Sequence, residues 1–502
     1  MKIVGLWNNH DCSFCVLEDG KPIIHAELER YIREKEPKGD SFKLFKEILP
    51  DTEIDEWITA EGCFDKEEGT FNESYYTIGH HQAHAANAFY SSNLNESLII
   101  TLDGGGIDQG NWTATTIWKG QDNKLYPYKI IPKDQLNIGN IWSRVTEQVF
   151  GLSTGYPRGH SAGTVMAVTC LGDKNRYYNE FSSNPYGFCD SWHLRDEKDD
   201  EQARYDVAAA LQEWTEIKIR EVITYALEWY PTKNLCLAGG VALNCVMTTK
   251  LYDWFNFENI YVTPTPHDGG LCIGAAQFLW HHELDNPRIK WEDDFTPYLG
   301  QLYSKDIVLD TLKKYGNEIV VNDATDDDVL QLLDKQNIIS VFGGGSESGR
   351  RALGNRSILA DPRSPKMKDM INQKVKHRQW FRPFAPSILR EEVKNWFQKD
   401  IESPYMNFAV PFKPEMKEKV PAVSHLDGTG RIQTVTENNN KWYYNFIKKW
   451  FNISGVPIVL NTSFNDREPI VETPEDAIKC YLKTNIDYLY FYEFDLLIKK
   501  KV

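Results

Sequence analysis

Residues 97–118 read SLIITLDGGGIDQGNWTATTIW, and their pattern indicates the fold class more clearly than any other stretch. An apolar strand from Ser97 to Leu102 is followed by Asp103-Gly104-Gly105-Gly106, and a second strand is predicted from Asn111 to Trp118. A polar turn rich in Asp and Gly between two apolar strands predicts a β-hairpin. The backbone N–H groups that such a turn exposes can also bind phosphate-like oxygens.

A second hairpin of the same design is predicted at residues 2–18, around the polar turn Asn8-Asn9-His10-Asp11. Together with the later segment 237–244, LAGGVALN, the two hairpins favour an α/β fold of the duplicated actin-like or sugar-kinase-like kind, in which two halves flank a cleft. Glycines after an apolar strand can let a nucleotide approach the backbone, so Gly239, Gly240 and Asn244 are candidate nucleotide-binding residues. A plain strand-to-helix turn explains the same glycines equally well.

Helices are predicted on either side of these strands. Residues 81–92 are rich in alanine, and residues 204–229 carry apolar side chains at helical spacing. The strand Asn259 to Val262 leads through a Pro/His/Asp/Gly turn into a predicted helix at 271–280. This alternation of strands and helices is typical of α/β proteins.

A domain boundary is predicted at residues 281–300, which are polar, contain two prolines and lack periodicity. We therefore expect an N-terminal domain at residues 1–290 and a C-terminal domain at residues 298–502. Within the C-terminal domain, strands are predicted at 337–342 and 456–460.

Composition narrows the functional class. A chain of 502 residues with 41% hydrophobic residues exceeds what one core usually organises and is not disordered. The net charge of −16 disfavours general binding to nucleic acid, although basic patches such as residues 374–378 remain. No stretch approaches the roughly 20 apolar residues of a membrane span. Nine dispersed cysteines and the lack of an apolar leader favour the cytoplasm.

Four residues form a candidate metal site. His80 and His84 are four apart, so on a helix they share one face and can bind one ion. Asp103 and Asp268 follow the ends of two predicted strands, a usual place for functional carboxylates in α/β folds. This donor set suits Fe(II), Mn or Zn with a position left open for substrate. The alternative is that the two histidines only cap or pack a helix.

A second candidate site is cationic. Residues 349–356, GRRALGNR, begin a basic region that extends to position 382. Arginine matches phosphate oxygens through paired hydrogen bonds and stays charged, so a phosphate-rich ligand is expected. A solvated basic surface is the alternative. Glycines and apolar residues between the arginines favour a pocket.

The motifs together resemble the O-carbamoyltransferase family of the nodulation and tobramycin carbamoyltransferase-like type, over nearly the whole chain. The arginine-rich block is the longest and most specific of them. The segments that carry the resemblance are HHxxHAAxAFY at 80–90, DG at 103–104, GGVALN at 239–244, DGGLxxGAA at 268–276, RALGNRSILADPR at 351–363, FRPFAP at 381–386 and LNTSFN at 460–465.

The resemblance implies a division of labour between two domains. A YrdC-like C-terminal α/β domain condenses carbamoyl phosphate with ATP, accompanied by Mg²⁺, and gives carbamoyl adenylate and pyrophosphate. The positions matched to phosphate, carbamoyl or adenylate binding are Arg351, Lys376, Arg382, Arg431, Asn461 and Ser463.

In the actin-like N-terminal domain, the resemblance places the transfer of the carbamoyl group to a hydroxyl. His80, His84, Asp103 and Asp268 match metal-site positions, with Fe(II) favoured, and His10 matches a residue that takes the proton of the acceptor. The chain departs from its relatives at Ala162 to Thr169, where they carry Glu-Gly-Lys-Val-Met-Gly-Leu-Ala, and in lacking a Glu after the Asp103 turn. Both departures concern the acceptor pocket.

The acceptor therefore stays open between two hypotheses. A hydroxyl of a sugar or natural product is typical of the family. The alternative is a 5-hydroxymethylpyrimidine in a nucleotide or in DNA, for which Trp380, Phe381 and residues 376–378 would supply a local surface. Two other classes, a non-catalytic nucleotide-binding module and an actin-like ATPase or sugar kinase, do not account for both candidate sites.

Overall fold

The computed structural model describes residues 1–63, 71, 73–152 and 161–501. The chain divides into two compact units, Met1–Leu28 with Glu36–Trp291, and Glu29–Lys35 with Glu292–Val502. Among the residues described, no helix has both the length and the apolar character needed to cross a membrane. Of the nine cysteines, eight are buried and Cys170 is exposed.

The first sheet of the first unit combines antiparallel and parallel strands. Its strands are β1 (Lys2–Trp7), β2 (Ser13–Glu18), β3 (Lys21–Glu27), β4 (Glu56–Ala60) and β5 (Tyr76–Ile78). The sheet order is β3-β2-β1-β4-β5. The first three strands pair antiparallel, which confirms the predicted N-terminal hairpin, and β4 and β5 add in parallel.

The second sheet of this unit repeats the same topology. Its strands are β6 (Glu96–Asp108), β7 (Asn111–Gln121), β8 (Lys124–Pro132), β9 (Asn234–Ala238) and β10 (Asn259–Val262). Strands β6, β7 and β8 pair antiparallel, whereas β9 and β10 add in parallel on the other side of β6. One strand order in both sheets confirms the predicted duplicated α/β architecture.

The turn of the second hairpin is not where the sequence predicted it. Strand β6 continues through the glycines to Asp108, and the chain reverses at Gln109 and Gly110, which have φ values of 50° and 77°. Two positive φ values in a two-residue connection suit the right-handed twist of a hairpin. The predicted turn was wrong because residues 103–105 form a β-bulge, standing opposite Ala114 alone.

Helices flank the two sheets of the first unit. After the short helix α1 (Leu28–Ile32), they are α2 (Ser41–Ile48), α3 (His80–Ser91), α4 (Ile138–Arg144), α5 (Ala162–Val168), α6 (Lys174–Ser183), α7 (Pro185–Ser191), α8 (Glu201–Trp229), α9 (Cys245–Trp254) and α10 (Leu271–Phe278). The three predicted helices are confirmed as α3, α8 and α10, with ends shifted by no more than three residues. Helices α3 and α10 pack closely, since a Cβ at Gly274 would lie 1.9 Å from the carbonyl oxygen of Ala83.

The second unit is built on one mixed sheet of nine strands, ordered β11-β19-β18-β12-β13-β17-β14-β16-β15. The strands are β11 (Ile319–Asp323), β12 (Ile339–Phe342), β13 (Arg356–Ala360), β14 (Ala385–Leu389), β15 (Phe408–Pro411), β16 (Thr429–Val435), β17 (Ile458–Ser463), β18 (Tyr488–Phe491) and β19 (Leu496–Lys500). The helices are α11 (Lys305–Lys314), α12 (Asp326–Asp334), α13 (Pro365–Lys374), α14 (Val393–Trp396), α15 (Pro414–Lys417), α16 (Lys441–Ser454) and α17 (Pro474–Lys483).

Strand β17 differs from its prediction in a way that matters for the site. It begins two residues later than predicted and continues through Asn461 and Ser463, which were expected to follow the strand. It lies between β13 and β14 in the sheet, where Asn461 pairs with both neighbouring strands and Ser463 pairs with β13. The α/β class is thus confirmed for both units.

Candidate functional site

The four predicted metal ligands lie together in the first unit. Nε2 of His84 is 3.2 Å from Oδ2 of Asp103 and 3.3 Å from Oδ1 of Asp268. Nε2 of His80 lies 3.4 and 3.6 Å from the same two oxygens. One ligand atom from each of the four residues lies within 4.8 Å of the others. Atoms bound to one tetrahedral ion at about 2.0–2.1 Å stand roughly 3.3–3.4 Å apart, so these spacings suit a shared metal.

The chemistry of the four side chains also fits a divalent metal. His80, His84 and Asp268 are buried and Asp103 is half-buried, so two carboxylates and two imidazoles are largely removed from water. Nδ1 of both histidines is buried without a hydrogen-bond partner in the described part of the chain, while Nε2 of each faces the carboxylates. Imidazole and carboxylate donors suit Fe(II), Mn or Zn.

Asp108 fixes the start of the helix that carries the two histidines, and no sequence pattern pointed to it. Helix α3 begins after a glycine, which offers no capping side chain. Oδ1 of Asp108 accepts hydrogen bonds from the N–H groups of His81 (2.9 Å) and Gln82 (3.3 Å), while the hydroxyl of Thr113 donates to its other oxygen. First-turn N–H groups have no partner within a helix, so this carboxylate caps α3 from the far end of β6.

The β-bulge turns Asp103 toward the imidazoles. Its Oδ1 accepts hydrogen bonds from the N–H groups of Gly104 (2.7 Å) and Gly240 (3.3 Å), and its Oδ2 faces the two histidines. Gly239 has a φ of 87°, and a Cβ there would lie 2.1 Å from the carbonyl oxygen of Leu102. Burial raises the pKa of Asp103, but hydrogen bonds from the two imidazoles outweigh burial and hold this pKa well below its usual range.

The residues predicted to bind a nucleotide in this unit make contacts within the protein. The N–H of Gly240 donates a hydrogen bond to Oδ1 of Asp103. Asn244 is buried at the start of α9, where its Oδ1 accepts from the N–H of Met247 (3.0 Å) and its amide donates to Oε1 of Gln212 (2.8 Å). A nucleotide-binding role for Gly239, Gly240 and Asn244 stays a prediction.

His10 lies in the turn between β1 and β2 and faces the metal cluster. Its Nε2 is 3.1 Å from Oδ2 of Asp268, and its Nδ1 is 3.2 Å from Oδ2 of Asp11. Burial lowers the pKa of His10, but the negative charges of Asp268, Asp11 and Asp103 outweigh it and raise this pKa to about 10. The surrounding carboxylates therefore favour the protonated imidazole.

In the second unit, Lys376 and Ser463 are in direct contact. Nζ of Lys376 donates to the hydroxyl of Ser463 (3.2 Å), and to the carbonyl (2.8 Å) and side-chain oxygen (2.6 Å) of Asn465. The lysine is buried, and burial lowers its pKa well below the usual range, with a further decrease from the charges of Arg378 and Arg382. The ammonium group is thus held by neutral oxygens beside other cations.

Arg378, Arg382 and Arg431 form a crowded group of cations. Burial lowers the pKa of Arg378 and of Arg382, and the charge of Arg431 lowers both further. Arg378 lies over the ring of Phe384 at 4.7 Å and donates from Nε to Asn372 (2.8 Å). These positive charges repel one another, and a bound phosphate would offset that repulsion. This part of the predicted set suits an anionic ligand.

Asn461 supports the loop that carries Arg351. The buried Asn461 amide donates from Nδ2 to the carbonyl oxygen of Ala352 (3.1 Å), to Oγ of Ser387 (3.1 Å) and to Oε1 of Gln433 (2.9 Å). Direct ligand binding by Asn461 stays a prediction, whereas its contact with the residue after Arg351 is a feature of the fold. The structure thus links Asn461 with the Arg351 loop and Lys376 with Ser463.

Comparison with known families and proteins gives a consistent result. The family model described as carbamoyltransferase N-terminus matches residues 53–184 and 181–277, and the carbamoyltransferase C-terminus model matches residues 330–500. An uncharacterized protein of Synechocystis sp. is 33% identical over 467 residues, covering 83% of this chain and 75% of its own. Nodulation protein NolO of Bradyrhizobium diazoefficiens is 32% identical, covering 84% of this chain and 79% of its own.

Nodulation protein U of Rhizobium tropici is 32% identical over 273 residues, which are 53% of this chain and 45% of that protein. Among solved structures, full-length HypF in its phosphate- and nucleotide-bound form matches with a TM-score of 0.35 and 14% identity, over 55% of each chain. This structural likeness is too remote to support an argument. The two family models and the curated relatives establish that the chain belongs to the carbamoyltransferase family of enzymes.

Proposed function

We propose that this carbamoyltransferase makes carbamoyl adenylate from carbamoyl phosphate and ATP, and then transfers the carbamoyl group to a hydroxyl of a sugar or natural product. The observation that carries the proposal is the pair of chemically different clusters in one chain. The first unit gathers two imidazoles and two carboxylates, and the second unit gathers the buried Lys376 with half-buried arginines. One reaction that uses both an anion-binding site and a metal centre explains why both occur together.

The activation step would use the cations of the second unit. Water cleaves carbamoyl phosphate into phosphate and carbamate, and a carbamate oxygen then attacks the α-phosphorus of ATP, so that carbamoyl adenylate forms and pyrophosphate leaves. ATP, with Mg²⁺, and carbamoyl phosphate are both strongly anionic. Arg351, Lys376, Arg382 and Arg431 would offset the repulsion between them, since charge-assisted hydrogen bonds to phosphate are strong.

The transfer step would use the first unit. His80, His84, Asp103 and Asp268 would hold a divalent metal, Fe(II) by resemblance, whose charge polarises the carbamoyl carbonyl or orients the phosphate of the adenylate. The carboxylates raise the pKa of His10 to about 10, and a bound divalent metal would offset part of their charge and so lower that pKa. Nε2 of His10 then accepts the proton of the hydroxyl as its oxygen attacks the carbonyl carbon and AMP leaves.

The test separates the two steps. Wild-type protein mixed with ATP, Mg²⁺ and carbamoyl phosphate should release pyrophosphate, whereas H80A should still release it but lose transfer to the acceptor. The exposed His193 provides a matched control, and H193A should behave as wild type. No pyrophosphate from the wild type, even with a broad panel of acceptors, would refute the proposal.

The same panel decides the class of acceptor. Trp380 is exposed, whereas Phe381 is buried, so only one of the two aromatic residues offered for a base-binding surface is available at the surface. We therefore expect product with sugar or natural-product hydroxyls. Product with hydroxymethylated nucleotides or hydroxymethylated DNA, and none with plain DNA, would replace that acceptor with a modified pyrimidine.

A further inference from the structure

Glu347 lies at the centre of the loop that carries Arg351. One oxygen, Oε1, accepts three main-chain hydrogen bonds, from the N–H groups of Leu353 (2.8 Å), Asn355 (2.7 Å) and Arg356 (3.1 Å). The residue that accepts these bonds comes before Arg351 in the chain and the residues that donate them come after it. A single carboxylate oxygen therefore closes the loop, and Arg351 lies within the closed segment.

The carboxylate of Glu347 is buried, and removing a carboxylate from water costs free energy. Glu347 is 1% exposed, and its second oxygen, Oε2, is buried without a hydrogen-bond partner among the residues that the structure describes. A buried carboxylate with one oxygen unsatisfied is expensive to keep, so its three N–H contacts must repay that cost or serve a function. An ordinary surface loop does not need three main-chain hydrogen bonds to one buried carboxylate oxygen.

The carbonyl groups of the same loop are held from other directions. Arg30 donates to the carbonyl oxygen of Gly349 (2.6 Å), and Tyr298 (3.0 Å) and Gln433 (2.7 Å) donate to that of Leu353. Side chains from distant parts of the second unit thus brace the loop around the Glu347 carboxylate. Hydrogen bonds within the protein thus hold the main chain on both sides of Arg351.

We propose that Glu347 is a positioning residue that aims Arg351 at the phosphates of the bound substrates. The inference rests on the proposed function, because that function makes Arg351 a phosphate-binding residue. The role requires an acceptor oxygen at the position of Oε1, on a side chain as long as glutamate. Glu347 itself does not contact the substrates. Asp is one methylene shorter and does not reach the three N–H groups, whereas Gln has the length and keeps a carbonyl oxygen at this position.

The experiment compares kcat/KM for pyrophosphate release in E347D, E347Q, R351A and the double variant E347D/R351A. E347D should lower kcat/KM about 100-fold, the size of loss that a displacement of about 1 Å of a binding group produces. E347Q should recover to within about threefold of wild type, since neutral hydrogen bonds are only moderately weaker. E347D should add little to R351A, because residues that act through one another are not additive. A purely structural role would multiply the two losses.

Asp361 provides a matched control, since it is a fully buried carboxylate of the same unit that pairs with Arg363. D361N should lower thermal stability without lowering kcat/KM in the folded fraction. Wild-type activity in E347D, or multiplicative losses in the double variant, would overturn the inference and leave the proposed function standing.

A second readout, the rise in melting temperature caused by MgATP, separates the two hypotheses when turnover is absent. A wild type that is stabilised by MgATP but releases no pyrophosphate would refute the proposed function alone. The inference is then judged by whether E347D and R351A lose that stabilisation together. A wild type that is not stabilised by MgATP and does not turn over would overturn both.

Discussion

Asp294 is a half-buried residue of the second unit, and the ionisation of its carboxyl group affects the stability of the protein. Burial raises its pKa, and the charges of Glu402 and Asp293 raise it further, to about 7. A folded pKa above that of the unfolded chain means that the native state binds the proton more tightly. The stability that protonated Asp294 contributes is therefore fully present below about pH 4. It is lost as the pH rises through about 7.

We expect D294N to be more stable than wild type at pH 8, by on the order of 1–2 kcal/mol after screening by solvent is allowed for. At pH 4 the two proteins should unfold at similar urea concentrations. D323N, at an exposed aspartate of the same unit, should show no such pH-dependent gain. Equal stability of D294N and wild type at both pH values would contradict the raised pKa.

Individual residues were predictable from the sequence where the rule is local. His80 and His84 follow from helical spacing, and Asp103 and Asp268 from their positions after apolar strands; all four meet in the structure. Asp108, which caps α3, and Glu347, which closes the Arg351 loop, were missed. Both act by accepting hydrogen bonds from main-chain N–H groups, and no side-chain pattern reveals where the backbone will need an acceptor.

Helix α3 depends on an acceptor from another element, and its start can be tested through Asp108. D108A should leave two first-turn N–H groups of α3 without their acceptor and lower the free energy of unfolding by about 1–2 kcal/mol. It should also weaken binding of Mn²⁺, because the turn of α3 that carries His80 is no longer held.

The measurements are urea unfolding and Mn²⁺ titration by calorimetry. D108N keeps an oxygen acceptor and should recover most of both properties, since Asn and Asp cap helices equally well. The exposed Asp134 offers a control, and D134N should leave both properties unchanged. Unaltered Mn²⁺ affinity in D108A would show that α3 holds its ligands without this cap.

Strands and helices were predicted well where apolar periodicity is strong, and less well where glycines interrupt it. The two-residue turn at Gln109 and Gly110 was overlooked in favour of the glycine-rich segment before it. A run of glycines marks either a turn or a bulge, and the choice depends on the register of the partner strand. That register is set by the pairing with β7, so the sequence of β6 alone does not contain it.

The whole molecule was predicted as two α/β domains, and the structure divides the chain at Trp291 and Glu292. Residues 29–35 belong to the second unit although they lie near the N-terminus. Within that unit Arg30 donates to the carbonyl oxygen of Gly349, a contact over more than 300 positions of sequence. Residues 29–35, ERYIREK, are strongly charged, but a short charged segment does not indicate which domain it packs against.

Metal binding at the proposed site should stabilise the first unit by mass action, since the four proposed ligands are far apart in sequence and meet in the folded chain. At a free Mn²⁺ or Fe²⁺ concentration of about 100 times Kd, the gain is about 2.7 kcal/mol. Scanning calorimetry should show a higher melting temperature with metal, reversed by a chelator. H80A should lose this gain and H193A should keep it; an equal gain in H80A would place the metal elsewhere.

The bulge in β6 also has a consequence for how this enzyme can change during evolution. Three residues, 103–105, occupy the space that Ala114 alone fills on the neighbouring strand. Loss of two of them would restore regular pairing and lengthen an uninterrupted ladder, while removing the offset that turns Asp103 toward the imidazoles. Loss of only one would move every later side chain of β6 to the opposite face. Short deletions here would therefore yield either a more stable but inactive hairpin or a misfolded one. Length differences among related sequences should accordingly be found outside this segment.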